Sequence, residues 1–420
     1  MIERNLIVRG FCGIKEVNLN LRRFNVFVGP QASGKSLLAK LDYFCQEALG
    51  QMLVAAAVTG DFEEYRRLVD LKFKNYFPPK TWGKSRPFEI QSRIGDIWIY
   101  LKGSPKKGSL QLSFSDEVEF RFGRMAKRLA QLVSKFGEDR FLINGEDYYL
   151  SRYLLRMSEF VMRDEVFESL LFVPAGRSFF ANLDRAVWPI LQRQKSIDPF
   201  LIQYGVHYES VKGAYRRASI YSNKDERGVV HSPSRSNLWR AIGGELVIEK
   251  EDEYVKFEDG RMVPVANLSS GQQELLPLLI GVFSSSSDES RKMIYIEEPE
   301  AHLFPSAQKD VVEFIVSGFN EMSAGSGVFI TTHSPYVLAS INNLLAAHRV
   351  SRKRGRGRLV ENIYPRQCWL DIDHLSCYAV QGGGAESIVD HEFSIIDASY
   401  IDSVSSSIAY GYEALLEINS

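Results

Sequence analysis

The chain has little cysteine. Four occur among 420 residues (Cys12, Cys45, Cys368 and Cys377), and no pair has CxxC spacing. That excludes the common zinc frameworks and a disulfide scaffold, and reduced thiols in a cytosolic protein are expected. Long apolar runs are missing as well, so no stretch approaches a membrane span. The opening residues MIERNLIVRG set charges among the apolar ones, unlike a signal peptide. A soluble, cytoplasmic protein with no membrane partner is expected. Net charge is almost absent, at −1. Bulk charge therefore does not announce nucleic acid, and any polyanion surface must be a local patch. There is no internal repeat and no sustained heptad, which excludes a solenoid and a long coiled coil.

The length suggests two or three domains. NLIVRGF, IKEVNLNL and RFNVFVG read as strands, the last an apolar run stopped by glycine. KSLLAKLDYFCQEALGQMLVAAA follows with helical periodicity. Residues 46–260 read as a large, mostly helical inserted lobe. Helical pattern marks FEEYRRLVDLKFKNYF, RMAKRLAQLVSKF, YYLSRYLLRMSEFVM, LDRAVWPILQRQ and ESVKGAYRRAS. DIWIYLKGSPKKGSLQLSF reads as a hairpin, SLLFVPAGRSFF as a strand (within residues 168–180) returning to the core, and YSNKDERGVVHSPSRS as a polar loop. GELVIEKEDEYVKFEDGRMVPVANL alternates as strands with turns at KEDE and EDGR. QQELLPLLIGVF, KMIYIEE, SAQKDVVEFIVSGF, GVFITTH and PYVLASINNLLAA then alternate helix and strand. That alternation predicts an α/β core with a largely parallel sheet, residues 1–45 supplying one part and 261–420 the other.

GPQASGKS, Gly29 to Ser36, completes the pattern GxxxxGK followed by Ser or Thr, after a strand and before a helix. Gly29, Pro30, Gln31, Ala32, Ser33 and Gly34 are expected to wrap the phosphates of ATP. Lys35 is expected to reach the β- and γ-phosphates, and Ser36 to offer its hydroxyl to Mg²⁺. The helix that starts near Lys35 and runs on through Leu37 adds its positive end.

MIYIEEPEAHLFP ends an apolar strand in Glu297, Glu298, Pro299 and Glu300. Acid at the tip of a core strand is costly unless a cation waits there, and a magnesium nucleotide is such a group. Glu297 is expected on the Mg²⁺ shell through water, and Glu298 as the general base for the attacking water. VFITTHSPYVL puts His333 at another strand end, before a helix capped by Ser334 with Pro335 first. His333 is expected to donate to the γ-phosphate. The other histidines (His207, His231, His302, His348, His374 and His391) read as structural.

NLSSGQQEL makes a turn with a helix starting on it. The first N–H groups of a helix are unpaired and point outward, so Leu268, Ser269, Ser270, Gly271 and Gln272 form a second phosphate grip. Pro277 should kink the helix that follows.

In this order the motifs resemble the ABC-type ATPases of the SMC/RecF/OLD group. GPQASGKS is similar to their Walker A, LSSGQQE to their signature, IYIEEPEAHLFP to their Walker B and D-loop, and ITTHSP to their H-loop. The likeness holds at both ends of the chain and by position only in the middle. It implies a P-loop head whose ATP is sandwiched between Walker A of one copy and the signature of another, hence a homodimer or higher homo-oligomer. Ser269 and Gly271 would then touch a neighbour's phosphate. Two departures stand out. Glu297 replaces the usual Asp, and the glutamine that normally watches the metal is not evident. FVPAGRS occupies its region, and Arg177 is expected there in an accessory, phosphate-facing role. The compact insert is closest to the stand-alone ATPase subunits of prokaryotic antiphage systems of the Septu (PtuA) and PARIS (AriA) kinds. That implies a sensor or scaffold controlling a separate effector protein, a nuclease or toxin. The alternative is a DNA-repair or chromosome-maintenance ATPase that binds DNA. A transporter ATPase fits EEPEAHLFP less well.

Two cationic stretches bear on nucleic acid. HRVSRKRGRGRL, residues 348–359, reads as a docking loop or as a solvated one. KFKNYFPPKTWGKSR interleaves cations with Phe73, Tyr76, Phe77 and Trp82, a pattern that suits stacking on unpaired bases or an ordinary core. Asp371 and Asp373 in WLDIDHLSCYAV read as a solvated turn rather than a nuclease centre.

Overall fold

A computed structural model describes residues 3–57, 59–83, 86–136, 166–182, 197–221, 242–249, 252–283 and 290–397. The helices expected at 148–162 and 183–194 and most of the polar loop at 221–236 lie outside them.

The chain opens with β1 (Arg4–Phe11), β2 (Ile14–Leu21) and β3 (Phe24–Val28), then α1 (Lys35–Glu47), which runs on through a π-helical turn to Ala56. Next come α2 (Phe62–Tyr76), β4 (Phe88–Ile94), β5 (Ile97–Ser104), β6 (Ser109–Phe114) and α3 (Asp116–Phe136). β7 (Ser169–Val173) and α4 (Pro199–Tyr221) precede the small antiparallel sheet of β8 (Gly244–Glu249), β9 (Asp252–Phe257) and β10 (Met262–Pro264). The last third holds α5 (Ser270–Phe283), β11 (Lys292–Glu297), α6 (Pro305–Glu321), β12 (Gly327–Thr332), α7 (Pro335–Ser351), α8 (Gly357–Glu361), β13 (Leu375–Gln381) and β14 (Gly384–Ser387).

The fold is α/β, with mixed sheets and flanking helices. Its central sheet has the order β14-β13-β3-β12-β11-β7, and every pair from β13 to β7 is parallel. These strands are short apolar runs because both faces are covered. Side-chain alternation sorts the residues into two layers. Phe27, Phe172, Met293, Tyr295, Phe329, Tyr378 and Val380 face the layer holding α1 and the N-terminal sheet. Val26, Val28, Leu171, Ile294, Ile296, Val328, Ile330 and Cys377 face the layer of α4, α5, α6 and α7.

The stretch assigned by sequence to the inserted lobe is not wholly separate. β4, β5 and β6 extend the sheet begun by β1 and β2, in the order β2-β1-β4-β5-β6, with β1 antiparallel to β4 in the register Val8↔Ile90. Alternation marks each as a half-buried strand but says nothing of its partner, because pairing is non-local. The strand at 169–173 does return to the central sheet, at its edge beside β11.

Pro277 lies inside α5, which continues through it as one helix. The carbonyl of Pro277 accepts a 2.5 Å hydrogen bond from the Tyr204 hydroxyl on α4, so tertiary packing holds the helix across its proline. Among the described residues, no helix is long and apolar enough to cross a membrane.

Candidate functional site

Parallel strands put their C-terminal tips on one edge of a sheet, which is where ligands bind in open α/β folds. Here β3 leads into the phosphate loop, β12 into His333, β11 into Glu297–Glu300, and β7 into the turn at Pro174–Arg177.

The loop from Gly29 to Gly34 is shaped by its glycines. Gly34, the N-cap of α1, has φ 104°, a value closed to most side chains. A Cβ on Gly29 would stand 2.2 Å from the Val380 carbonyl of β13. Ala32 also lies at positive φ, 58°. Lys35 is 5% exposed, and its Nζ donates to the carbonyls of Gly29 and Pro30 at 2.7 Å each. Burial pulls the Lys35 ammonium below its ordinary value, while the nearby Glu298 and Glu300 oppose that shift. The phosphate loop and the acidic strand end are thus brought together.

Glu297 is 5% exposed. Its Oε2 accepts from the Ala175 N–H at 3.1 Å, and its Oε1 is buried with no hydrogen-bond partner. Glu298 is more open, with a side chain 29% exposed. Its φ of 43° costs a non-glycine residue about 1–2 kcal/mol. The turn is held by Glu298 N donating to the Thr331 carbonyl at 2.9 Å and Ala301 N donating to the Glu298 carbonyl at 3.0 Å. Glu300, the third acid of the motif, is a buried hub. Its Oε1 accepts from the Thr332 hydroxyl at 2.7 Å and from the His333 N–H at 3.0 Å. His333 Nδ1 lies 3.6 Å from both Glu298 and Glu300. The third acid of EEPE was the only sequence signal for this function.

The signature turn is a capping box. Ser269 Oγ accepts from Gln272 N at 3.4 Å, and Gln272 Oε1 accepts from Ser269 N at 3.1 Å. Ser269 and Ser270 are exposed, while Gly271 is buried where a Cβ would meet the His302 carbonyl at 2.7 Å. α5 therefore starts directly against the chain leaving Glu300.

Arg177 does not face a phosphate. It is 0% exposed, and its guanidinium donates to four carbonyls: Glu274, Pro174, Glu297 and Glu298. A residue type names a charge, and only the packing shows which way it turns. Of the two readings of the aromatic stretch at 72–86, the ordinary core holds for its rings. Phe73, Tyr76, Phe77 and Trp82 are core residues packed on one another and on Phe88. The cationic stretch at 348–359 is not a loose loop: it is the end of α7, a turn and α8, with Arg352, Lys353, Arg354 and Arg356 exposed. Asp371 caps a short 3-10 turn, accepting from Asp373 N at 3.0 Å.

Among the described residues, no cluster of three or more His, Cys, Asp or Glu is placed to hold a metal alone. Mg²⁺ takes one or two protein ligands and completes its shell with water and phosphate oxygens. Among the described residues, some of the buried atoms with no hydrogen-bond partner lie in these motifs: Ser33 Oγ, Glu297 Oε1, Glu300 Oε2 and Thr331 Oγ1. Buried oxygens of this kind are ordinarily satisfied, so the unpartnered Oε1 of Glu297 fits a hydrated Mg²⁺ carried in with a nucleotide.

Residues 209–338 match the family profile described as an AAA ATPase domain. That span contains Ser269–Gln272, Glu297–Glu300 and His333, and stops short of the phosphate loop. No curated protein matches the chain. Among solved structures it is similar to an Smc head bound to the C-winged helix domain of ScpA, at 13% identity and TM-score 0.44, covering 92% of this chain and 96% of that one. It is also similar to the SMC head domain from Thermotoga maritima, at 12% and 0.37, covering 92% and 98%. An Smc head with a coiled coil and joint from Pyrococcus yayanosii matches at 10% and 0.44, covering 96% and 99%. Identities and TM-scores this low say nothing of activity, which must be read from this chain's own residues.

Proposed function

We propose that the chain is an ABC-type ATPase that binds ATP at Gly29–Leu37 and hydrolyses it, with the signature turn of a second copy closing the site. One observation supports this above the others. The phosphate loop, Glu297–Glu298 and His333 stand at the tips of adjacent parallel strands, with Glu298 and Glu300 close enough to act on the charge of Lys35. Lys35 binds the β- and γ-phosphates, and the loop N–H groups orient them. Ser36 and, through water, Glu297 would hold Mg²⁺, which when bound would supply positive charge against the phosphates. Glu298 takes the proton of the attacking water. His333, aimed by Glu300, donates to the γ-phosphate. Ser269, Ser270 and Gly271 grip the γ-phosphate of the facing copy.

In this reading the ATPase is the sensor or scaffold of a prokaryotic antiphage system, in the cytoplasm, and it governs a separate effector. The exposed cations from Arg352 to Arg358 favour a second reading, a DNA-binding ATPase of the RecF/SMC kind.

The test is a pair of variants. Lys35→Ala is expected to abolish binding of a fluorescent ATP analogue. Glu298→Gln is expected to keep binding and lower turnover about 10²–10⁴-fold. Unchanged binding in the first, or unchanged turnover in the second, removes the residue from its role.

A further inference from the structure

Arg177 and Glu274 are both buried, and no step above uses either. Their contacts are reciprocal. The Glu274 carboxylate accepts from the backbone N–H of Arg177 at 2.8 Å, from Ser178 N at 3.0 Å and from Ser178 Oγ at 2.8 Å. The Arg177 guanidinium donates through Nε to the backbone carbonyl of Glu274 at 3.0 Å. The rest of the guanidinium reaches the acidic strand end. Nη1 donates to the Glu297 carbonyl at 2.6 Å and Nη2 to the Glu298 carbonyl at 3.0 Å. A planar guanidinium has its donors in fixed directions, so it ties these groups together at fixed spacing.

Two facts make the tie mechanical. Glu274 lies one turn along α5 from the signature residues Ser269–Gly271. Glu298 sits at a left-handed φ of 43° that its side chain does not favour, so its orientation depends on what holds its backbone. We infer that Arg177 and Glu274 are a positioning pair that joins the signature helix to the Glu298 turn, so that the aim of the general base depends on where α5 sits. Docking of α5 on a facing copy's phosphate would then be transmitted to Glu298 of the same chain. Ala175, in the same turn, donates to Glu297, so the metal-side carboxylate belongs to the same clamp. This inference rests on the assignment of Glu298 as the base.

Two variants test it. Arg177→Lys keeps a buried cation but replaces the fork with a single donor atom. Glu274→Asp keeps the buried pair neutral and shortens one arm. In both, with Mg²⁺ and ATP, kcat is expected to fall about tenfold or more while KM and the affinity for a fluorescent ATP analogue stay within about threefold. A merely structural role would lower kcat and nucleotide affinity together, in step with the folded fraction from thermal melting. That parallel loss overturns the inference, and so does a kcat within about twofold of the parent in both variants. Should Arg177→Lys fail to fold, Glu274→Asp decides alone. Parent protein that does not hydrolyse ATP at all sinks the reading of the site and this inference with it. Parent protein that hydrolyses ATP, with variants indifferent to the change, sinks only the inference.

Discussion

Glu298 and Glu300 stand two residues apart and do different things. The open one has a left-handed φ and a side chain 29% exposed, while the buried one accepts from Thr332 and His333. Their residue type was legible in EEPE; the division of labour was not, because it depends on which carboxylate the neighbouring strand covers. Burial acts on two histidines elsewhere in a way that pH can read. Burial pulls His207 below its ordinary value, with a backbone hydrogen bond at Gly281 opposing. Burial, then the charge of Arg23, pulls His374 down as well. In the unfolded chain both titrate near ~6.5. As pH falls through that value the unfolded state takes up protons that the folded state refuses, so stability is lost until the folded values are reached. The melting midpoint is expected to fall between about pH 7.5 and about pH 5, and the slope should be shallower in a His207→Gln, His374→Gln double variant. Equal slopes in circular-dichroism melts would contradict this assignment.

At the scale of elements, one aromatic ring from each of the five parallel strands, β13 to β7, makes a row across the central sheet. Tyr378, Phe27, Phe329, Tyr295 and Phe172 follow one another on one face, with centroid separations of 5.5, 4.4, 5.5 and 6.0 Å. Each ring was visible as an apolar residue in its own strand. The ladder was not, since it exists only once register aligns Tyr378 with Phe27 and Tyr295 with both Phe329 and Phe172. The N-terminal sheet has a comparable fit at Phe88, which is paired with Gly103 across β4 and β5. A Cβ on Gly103 would meet the Phe88 ring at 1.9 Å. Gly103→Ala should therefore destabilise by about 1–3 kcal/mol, through displacement of a ring that also packs on Phe11 and Trp82. Urea unfolding measures it, and a midpoint equal to the parent's would show that the ring has room to yield.

For the whole molecule, the proposed centre is divided between facing copies. Lys35→Ala destroys the phosphate loop and leaves the signature, and Ser269→Arg does the reverse. Each variant alone is expected to be inactive. Mixed, they should recover turnover, because each mixed pair holds one intact composite site. A mixture that stays inactive while size-exclusion chromatography shows mixed pairs would refute closure in trans.

Sequence alone determined the local motifs and much of the fold class. The phosphate loop, the capping box and the acidic strand end are local patterns, dictated by backbone geometry within a few residues. Their convergence, the attachment of β4–β6 to the N-terminal strands and the inward turn of Arg177 were left to the tertiary structure. Each depends on contacts between residues far apart in the chain, and strand pairing and burial are set by packing that no short window contains.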